Sequence, residues 1–211
     1  MKLTFPIVLL LLALASPAAA GQLQTVSKTF STESAANIEV GFPAGDLTIT
    51  AGDGSEVAVD MTARCGHDYG TCAEQAREVR LTSEKRGGTL HFKLEGLRKV
   101  NSHGLSIDLR MRVPRSLALS VEMGAGDLEV RGMEGDVEVH LGAGHVDIRA
   151  PERAVHSVKL AVGVGDATML RQRERHEGSG FISKTLRWRG GAGPAGVQVD
   201  VGVGDVDVRL E

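Results

Sequence analysis

The stretch VDVGVGDVDV, residues 199–208, is the most regular copy of a ten-residue pattern that decides the fold of this chain. Apolar and polar residues alternate on both sides of a central Gly-x-Gly, which is typical of a strand, a tight corner and a second strand. The pattern recurs as VEMGAGDLEV at 121–130, VHLGAGHVDI at 139–148 and LAVGVGDATM at 160–169, with a divergent copy, IEVGFPAGDLTI, at 38–49. Such repetition predicts stacked repeats that share one core.

The glycines of the pattern predict where the chain turns. Because glycine has no Cβ, it adopts positive φ without strain and lets a neighbouring backbone pass close by. We expect corners at Gly45, Gly126, Gly144, Gly165 and Gly204. The interval from Gly165 to Gly204 is about twice the interval from Gly126 to Gly144, which we interpret as two turns of the stack.

Stacking the copies on one another predicts the fold class. When the copies are aligned in register, Leu128 stacks on Val146 and Val130 stacks on Ile148 on the inward side. On the outward side, Glu129 stacks on Asp147 and Arg131 stacks on Arg149. The prediction is an all-β, single-domain β-solenoid, parallel β-helix-like, with short coils and one short helix near the two cysteines. With 27 glycines but one Trp, one Tyr and five Phe, its interior is expected to be narrow and aliphatic.

Aspartates follow several of these glycines. A short carboxylate at such a position accepts hydrogen bonds from turn amides, and the alternative is a ladder of calcium ligands. The residues concerned are Asp46, Asp127, Asp136, Asp166 and Asp205.

The first twenty residues have the pattern of a secretory signal peptide. Lys2 precedes an apolar run at 6–15, and three alanines at 18–20 precede the expected cleavage before Gly21. The alternative, a membrane anchor, needs about 20 apolar residues, and this run is shorter. We therefore expect a signal peptide at 1–20, a lead-in at 21–34, a β-solenoid at 35–211, no membrane span, and a periplasmic or secreted protein.

Cys65 and Cys72 are the two cysteines of the chain. In an exported protein an even count favours a disulfide, and the alternative is a metal site that also uses His67 and Asp68. The spacing of Thr71 and Glu74 predicts the start of a helix. A hairpin around Arg86-Gly87-Gly88 and a strand from Leu105 to Val113 are expected to follow.

The sequence contains little that predicts catalysis. No glycine corner continues into a nucleotide-binding motif, and no nucleophile elbow is present. For His140 and His145, we interpret the pattern as part of a solvated face, and the alternative is a metal site. We expect that the protein is not an enzyme and that it has no catalytic residue, cofactor, bound metal or nucleic acid partner. The alternative is a carbohydrate-active solenoid with a pair of catalytic carboxylates.

One segment near the C-terminus is strongly basic. A tryptophan among arginines can bind an anion such as lipopolysaccharide or stack on a sugar. The alternative is a flexible loop at 172–180 followed by a strand with Leu186 and Trp188 inward. The candidate anion- or glycan-binding residues are Arg171, Arg173, Arg175, Arg187, Trp188 and Arg189.

The chain resembles the bacterial putative adhesin family in its signal peptide, its cysteine pair and its recurrent VGVGDV corners. The resemblance covers roughly residues 35–211 and implies an all-β solenoid outside the cytoplasm, with no catalytic residues. The function we expect is a non-enzymatic cell-envelope scaffold that binds a protein or a surface glycan. Because the valine-rich last coil is expected to leave a strand edge free, we expect either a homodimer through that coil or a fold in which the early segment or the arginine-rich loop covers it.

Overall fold

The computed structural model of the protein describes residues 22–32, 35–66, 69–96 and 104–211. The predicted signal peptide lies outside the described residues, and so do His67 and Asp68 of the alternative metal site. Within the described ranges, no helix is long and apolar enough to cross a membrane.

The fold is all-β, with one short α-helix. The strands are β1 Gln22–Ser31, β2 Asn37–Gly52, β3 Glu56–Cys65, β4 Arg80–Arg86, β5 Thr89–Glu95, β6 Leu105–Pro114, β7 Ala118–Arg131, β8 Val137–Ala150, β9 Val155–Val164, β10 Ala167–Arg171, β11 Glu174–Glu177, β12 Lys184–Arg189 and β13 Ala195–Leu210. The helix α1 spans Tyr69–Glu78, and a 3-10 turn spans Glu152–Ala154.

The thirteen strands of the described residues belong to one sheet, which the glycine corners divide into two arms. The first arm has the order β4, β5, β2, β7, β8, β13, β9, β12, and it uses the N-terminal halves of the four long strands. The second arm has the order β1, β3, β6, β2, β7, β8, β13, β10, β11, and it uses their C-terminal halves. The buried side chains of both arms form one hydrophobic core.

The predicted stacking pairs are confirmed. Leu128 pairs with Val146, Glu129 with Asp147, Val130 with Ile148 and Arg131 with Arg149, in parallel register. The apolar members of these pairs are buried. All five corner glycines, Gly45, Gly126, Gly144, Gly165 and Gly204, have φ between 122° and 141°.

The coils do not stack in chain order, which corrects two expectations. Strand β13 lies between β8 on one side and β9 and β10 on the other, so Gly204 stacks between Gly144 and Gly165. The interval from Gly165 to Gly204 is therefore a return of the chain into the stack rather than two further turns. Because β13 is hydrogen-bonded on both sides, the expectation that the last coil leaves a strand edge free is wrong. The homodimer through that coil stays a prediction, without this support.

The segment before the regular repeats also enters the stack. Strand β5 pairs with the first half of β2 and β6 pairs with its second half, so together they form the coil on the side of β2 opposite β7. The hairpin of β4 and β5 and the strand β6 match the predicted elements. Helix α1 begins at Tyr69, slightly before its predicted start, and the predicted disulfide between Cys65 and Cys72 is confirmed.

At the end of the stack beyond β13, the edge strands β11 and β12 are rich in charge. The segment at 172–180, expected as a loop, contains β11, which pairs with β10 at the edge of the second arm. Strand β12 forms the edge of the first arm beside β9. Charged side chains on edge strands disfavour pairing with another chain, so the arginines of β11 and β12 have a structural role at this end.

Candidate functional site

The outward side chains of the first arm form a continuous polar face, which we call the first-arm face. Parallel register aligns residues of successive strands in rows across it. One row is His91, Glu39, Ser120, Glu138, Gln198, Lys159 and Arg187. The next row, nearer the corners, is Lys93, Gly41, Glu122, His140, Asp200, Ala161 and Thr185.

Two adjoining grooves lie along these rows. The corner groove, about 940 Å³, has the glycines Gly124, Gly142, Gly163 and Gly202 in its lining. The distal groove, about 1020 Å³, is lined by the row that contains Glu138 and Lys159 and by residues nearer the strand starts, such as Asn37 and Ser157. An added Cβ on any of these glycines would lie 2.3–2.5 Å from a backbone carbonyl oxygen of the neighbouring coil, so the floor of the corner groove is closely packed backbone.

His140 lies between the two grooves, with one hydrogen bond to Glu138 and a longer contact with Asp200. Its Nε2 lies 3.2 Å from Glu138 Oε1, and its Nδ1 lies 3.8 Å from Asp200 Oδ2. The side-chain amide of Gln198 donates to the same Asp200 oxygen at 3.1 Å. Four side chains on two neighbouring strands therefore hold one another in place while they remain partly exposed, as expected of a preformed polar binding surface.

Charge is distributed unevenly along the first-arm face. Acidic side chains come from β2, β7, β8 and β13 in the middle of the face, with Lys93 of β5 on one side and Lys159 of β9 and Arg187 and Arg189 of β12 on the other. A ligand lying across the strands would meet carboxylate acceptors in the middle and cationic donors towards β9 and β12.

The six residues of the basic segment are divided among three places. Arg171 donates to Glu152 through Nε at 2.8 Å, and its guanidinium lies 5.5 Å from the centroid of the Trp188 ring. Trp188 packs against the core and Leu186 is buried, which is the inward orientation that the alternation of β12 predicts. Trp188 is therefore partly buried against the core and contacts Arg171, and it also contributes to the lining of the distal groove.

The other arginines of this segment lie on different surfaces. Arg187 and Arg189 are exposed and line the distal groove. Arg173 and Arg175 belong to the β10–β11 hairpin of the second arm, where Arg175 Nε lies 3.2 Å from Glu177. The structure therefore brings two of the candidate arginines to the first-arm face and leaves the others away from it.

The outward side chains of the second arm are largely paired with one another. Asp147 accepts from Arg149 at 3.1 Å and lies 3.2 Å from Arg209. Glu129 accepts from Arg131 at 2.6 Å. Because these ladders satisfy their own charges, the second arm offers a partner fewer free polar groups than the first-arm face.

The aspartates of the corners bind backbone amides. The carboxylate of Asp205 accepts from the N–H of Asp166 at 2.9 Å, and that of Asp136 accepts from the N–H of Gly196 at 2.7 Å. Partial desolvation, followed by the charges of Asp108 and Asp127, raises the pKa of Asp46. Among the described residues, no group of three or more His, Cys, Asp or Glu side chains is arranged to hold a metal.

The first-arm face was not predicted from the sequence. Alternation identifies Glu138, Lys159 and Gln198 as outward residues, but their meeting in one row depends on the position of β13 between β8 and β9. The glycine pairs line the corner groove, but their pattern predicts only turns and close approach of neighbouring backbones.

Comparison with known proteins places the chain in a family. Residues 19–170 match the family described as the N-terminal domain of toast_rack, DUF2154, and the chain belongs to this family. A crystal structure of a putative cell adhesion protein from Clostridium sporogenes ATCC 15579 is similar, with 12% identity, a TM-score of 0.53, and coverage of 89% of this chain and 99% of that chain.

A second solved structure, a putative adhesin from Parabacteroides merdae ATCC 43184, has 10% identity and a TM-score of 0.35, and covers 88% of this chain and 78% of that chain. No curated protein matches the chain. The family match and the name of the Clostridium sporogenes structure agree with the resemblance to the bacterial putative adhesin family.

Proposed function

We propose that this protein is a non-enzymatic, exported scaffold of the cell envelope, and that its first-arm face binds a surface glycan. The observation that carries the proposal is the pair of adjoining grooves, lined in register by carboxylate, amide, hydroxyl and cationic side chains. Groups of this kind match the hydroxyl-rich surface of a polysaccharide, and the length of the face across several strands suits an extended chain.

Export is supported by the disulfide between Cys65 and Cys72, since such bonds persist in oxidising compartments. The adhesin names of neighbouring structures support a binding role. Within the proposal, Arg187 and Arg189 supply the basic end of the distal groove.

The test is binding of the exported chain, residues 21–211, to a panel of immobilised bacterial surface polysaccharides. Replacement of Glu138 or Lys159 by Gln should weaken binding, because both changes remove a charged group from the distal groove. The matched control is Glu129→Gln, on an exposed face of the second arm, which should bind as the parent does. Binding that is lost equally in all three variants would contradict the proposed site.

A second measurement separates the scaffold from the carbohydrate-active alternative. An enzyme would release reducing ends from a bound polysaccharide on prolonged incubation, whereas a scaffold would leave it intact. If release occurs and Glu138→Gln abolishes it, the non-enzymatic assignment is wrong.

A further inference from the structure

A loop outside the first-arm face presents two large apolar side chains to solvent. Phe181 is 99% exposed and Ile182 is 66% exposed, in the connection between β11 and β12. Exposed bulky residues that adjoin one another usually mark an interaction site, whereas isolated ones need no explanation. We call residues 179–183 the apolar tip.

The apolar tip is held beside the corner of the outermost coil. The N–H of Gly178 donates to the carbonyl of Ala167 at 2.8 Å, and Ser179 and Thr185 exchange backbone hydrogen bonds at 3.0 Å across the base of the loop. Lys184 pairs with Val162, and its ammonium lies 3.8 Å from Asp166. The tip therefore projects from an anchored base.

The corners next to the tip add apolar surface. Val164 is 53% exposed and pairs with Val203, which is 55% exposed. The corresponding positions of the preceding coils, Ala125 and Ala143, are small. Bulky corner residues thus occur at the end of the stack where the apolar tip lies.

Positive charge predominates around this end. Arg173 and Arg175 precede the tip, and Lys184, Arg187 and Arg189 follow it, against the acidic residues Glu174, Glu177 and Asp166. Among the described residues, no ion pair is found for Arg173 or Arg187. Basic residues around exposed aromatic and aliphatic side chains are typical of proteins that bind at the surface of an anionic bilayer.

We propose that the apolar tip inserts into the interface of an anionic lipid bilayer and holds the scaffold at a membrane surface. Phe181 projects free of neighbouring side chains, which suits entry into a deformable apolar layer. The flanking arginines then lie at the level of the headgroups. Phe181 and Ile182 lie outside both grooves of the first-arm face, whereas Ser183 lines the corner groove and Arg187 and Arg189 line the distal groove. Substitution of Phe181 therefore tests the tip apart from glycan binding.

The test is co-sedimentation of residues 21–211 with phosphatidylglycerol vesicles, and with phosphatidylcholine vesicles as the uncharged comparison. Binding should favour phosphatidylglycerol and weaken with added salt. Phe181→Ser should reduce binding about tenfold, since burial of one aromatic side chain has about that effect on an equilibrium constant. Arg173→Gln with Arg175→Gln should reduce binding to phosphatidylglycerol alone.

The controls separate this proposal from the others. Leu170→Ser changes an apolar residue that is 36% exposed on β10, where it pairs with Arg175 and is not part of the apolar tip, and it should bind as the parent does. Fluorescence of Trp188, the single tryptophan, verifies that each variant is folded. Glu138→Gln should leave vesicle binding unchanged, so failure of the glycan site is distinguishable from failure of the tip.

Two results would overturn the proposal. One is the absence of binding to either vesicle, and the other is equal vesicle binding by the parent and by Phe181→Ser. Capture of an envelope protein that depends on Phe181, without affinity for vesicles, would assign the tip to a protein partner instead.

Discussion

The backbone carbonyl oxygen of Gly144 lies where a Cβ on Gly204 would stand. Gly204 comes sixty residues later in the chain, yet no coil separates the two corners, because β13 returns to lie against β8. Gly165 stands in the same relation to the carbonyl of Gly204 on the other side. The last coil is thus fixed between two earlier ones, and its corner has no room for a side chain.

Alanine at Gly204 should be strongly destabilising, because the position combines a φ of 138° with an overlap against Gly144. We expect a loss of about 3 kcal/mol from the left-handed backbone and from overpacking together. Chemical denaturation of residues 21–211 measures it.

Two controls separate the causes of that loss. Gly54 has a φ of 117° with no atom within 4 Å of an added Cβ, so Gly54→Ala tests backbone conformation alone. An added Cβ at Gly202 would lie 2.5 Å from the Gly142 oxygen, so Gly202→Ala tests close approach. A Gly204→Ala protein as stable as Gly54→Ala would mean that the corners are not stacked as described.

The hydrogen bond from Gly196 to Asp136 should stabilise the return of the chain into the stack. Asp136→Ala leaves that N–H without its acceptor and should cost about 1 kcal/mol. Asp136→Asn keeps an oxygen in place and should retain most of the stability. Equal stability of both variants would show that the carboxylate has no capping role.

Removing the disulfide should lower stability without changing the fold. In the chain-entropy model, closing this short loop contributes about 2.5 kcal/mol. The double variant Cys65→Ala, Cys72→Ala should therefore melt at a lower temperature, and non-reducing mass spectrometry of the parent should show the two cysteines joined. Free thiols in protein recovered from the envelope would argue against export through an oxidising compartment.

Asp46 should make stability depend on pH. Because its pKa is raised in the folded protein, the folded state binds a proton more tightly than the unfolded state does. This group therefore favours folding at pH below the normal aspartate range, and its contribution is lost as pH rises through the raised pKa. Asp46→Asn should be more stable than the parent at neutral pH, and the difference should vanish in acid. A difference that is constant with pH would exclude titration as the cause.

The sequence was informative about local structure and about which residues meet within consecutive coils. Alternation placed Leu128 against Val146 because adjacent repeats stack directly. It was uninformative about the order of coils, since every corner has nearly the same Gly-x-Gly and any of them would fit against any other. The position of β13 is decided by the path of the chain through β11 and β12, which the repeat does not encode.

The candidate site could not be predicted from the sequence for the same reason, because it depends on the order of the coils. Glu138, Gln198 and Lys159 are each recognisable as outward residues, yet their row exists only once β13 lies between β8 and β9. Trp188 shows the opposite case, because alternation along one short strand was enough to predict its inward orientation.

The most direct test of the proposed function is an NMR titration of isotope-labelled residues 21–211 with a surface polysaccharide that binds the protein in the panel experiment. We expect the largest amide shifts at Ser120, Glu138, Gln198 and Lys159 of the first-arm face. Amides of Glu129 and Asp147 on the second arm should shift little. Shifts concentrated on the second arm, or spread evenly over both, would contradict the assignment of the first-arm face as the binding surface.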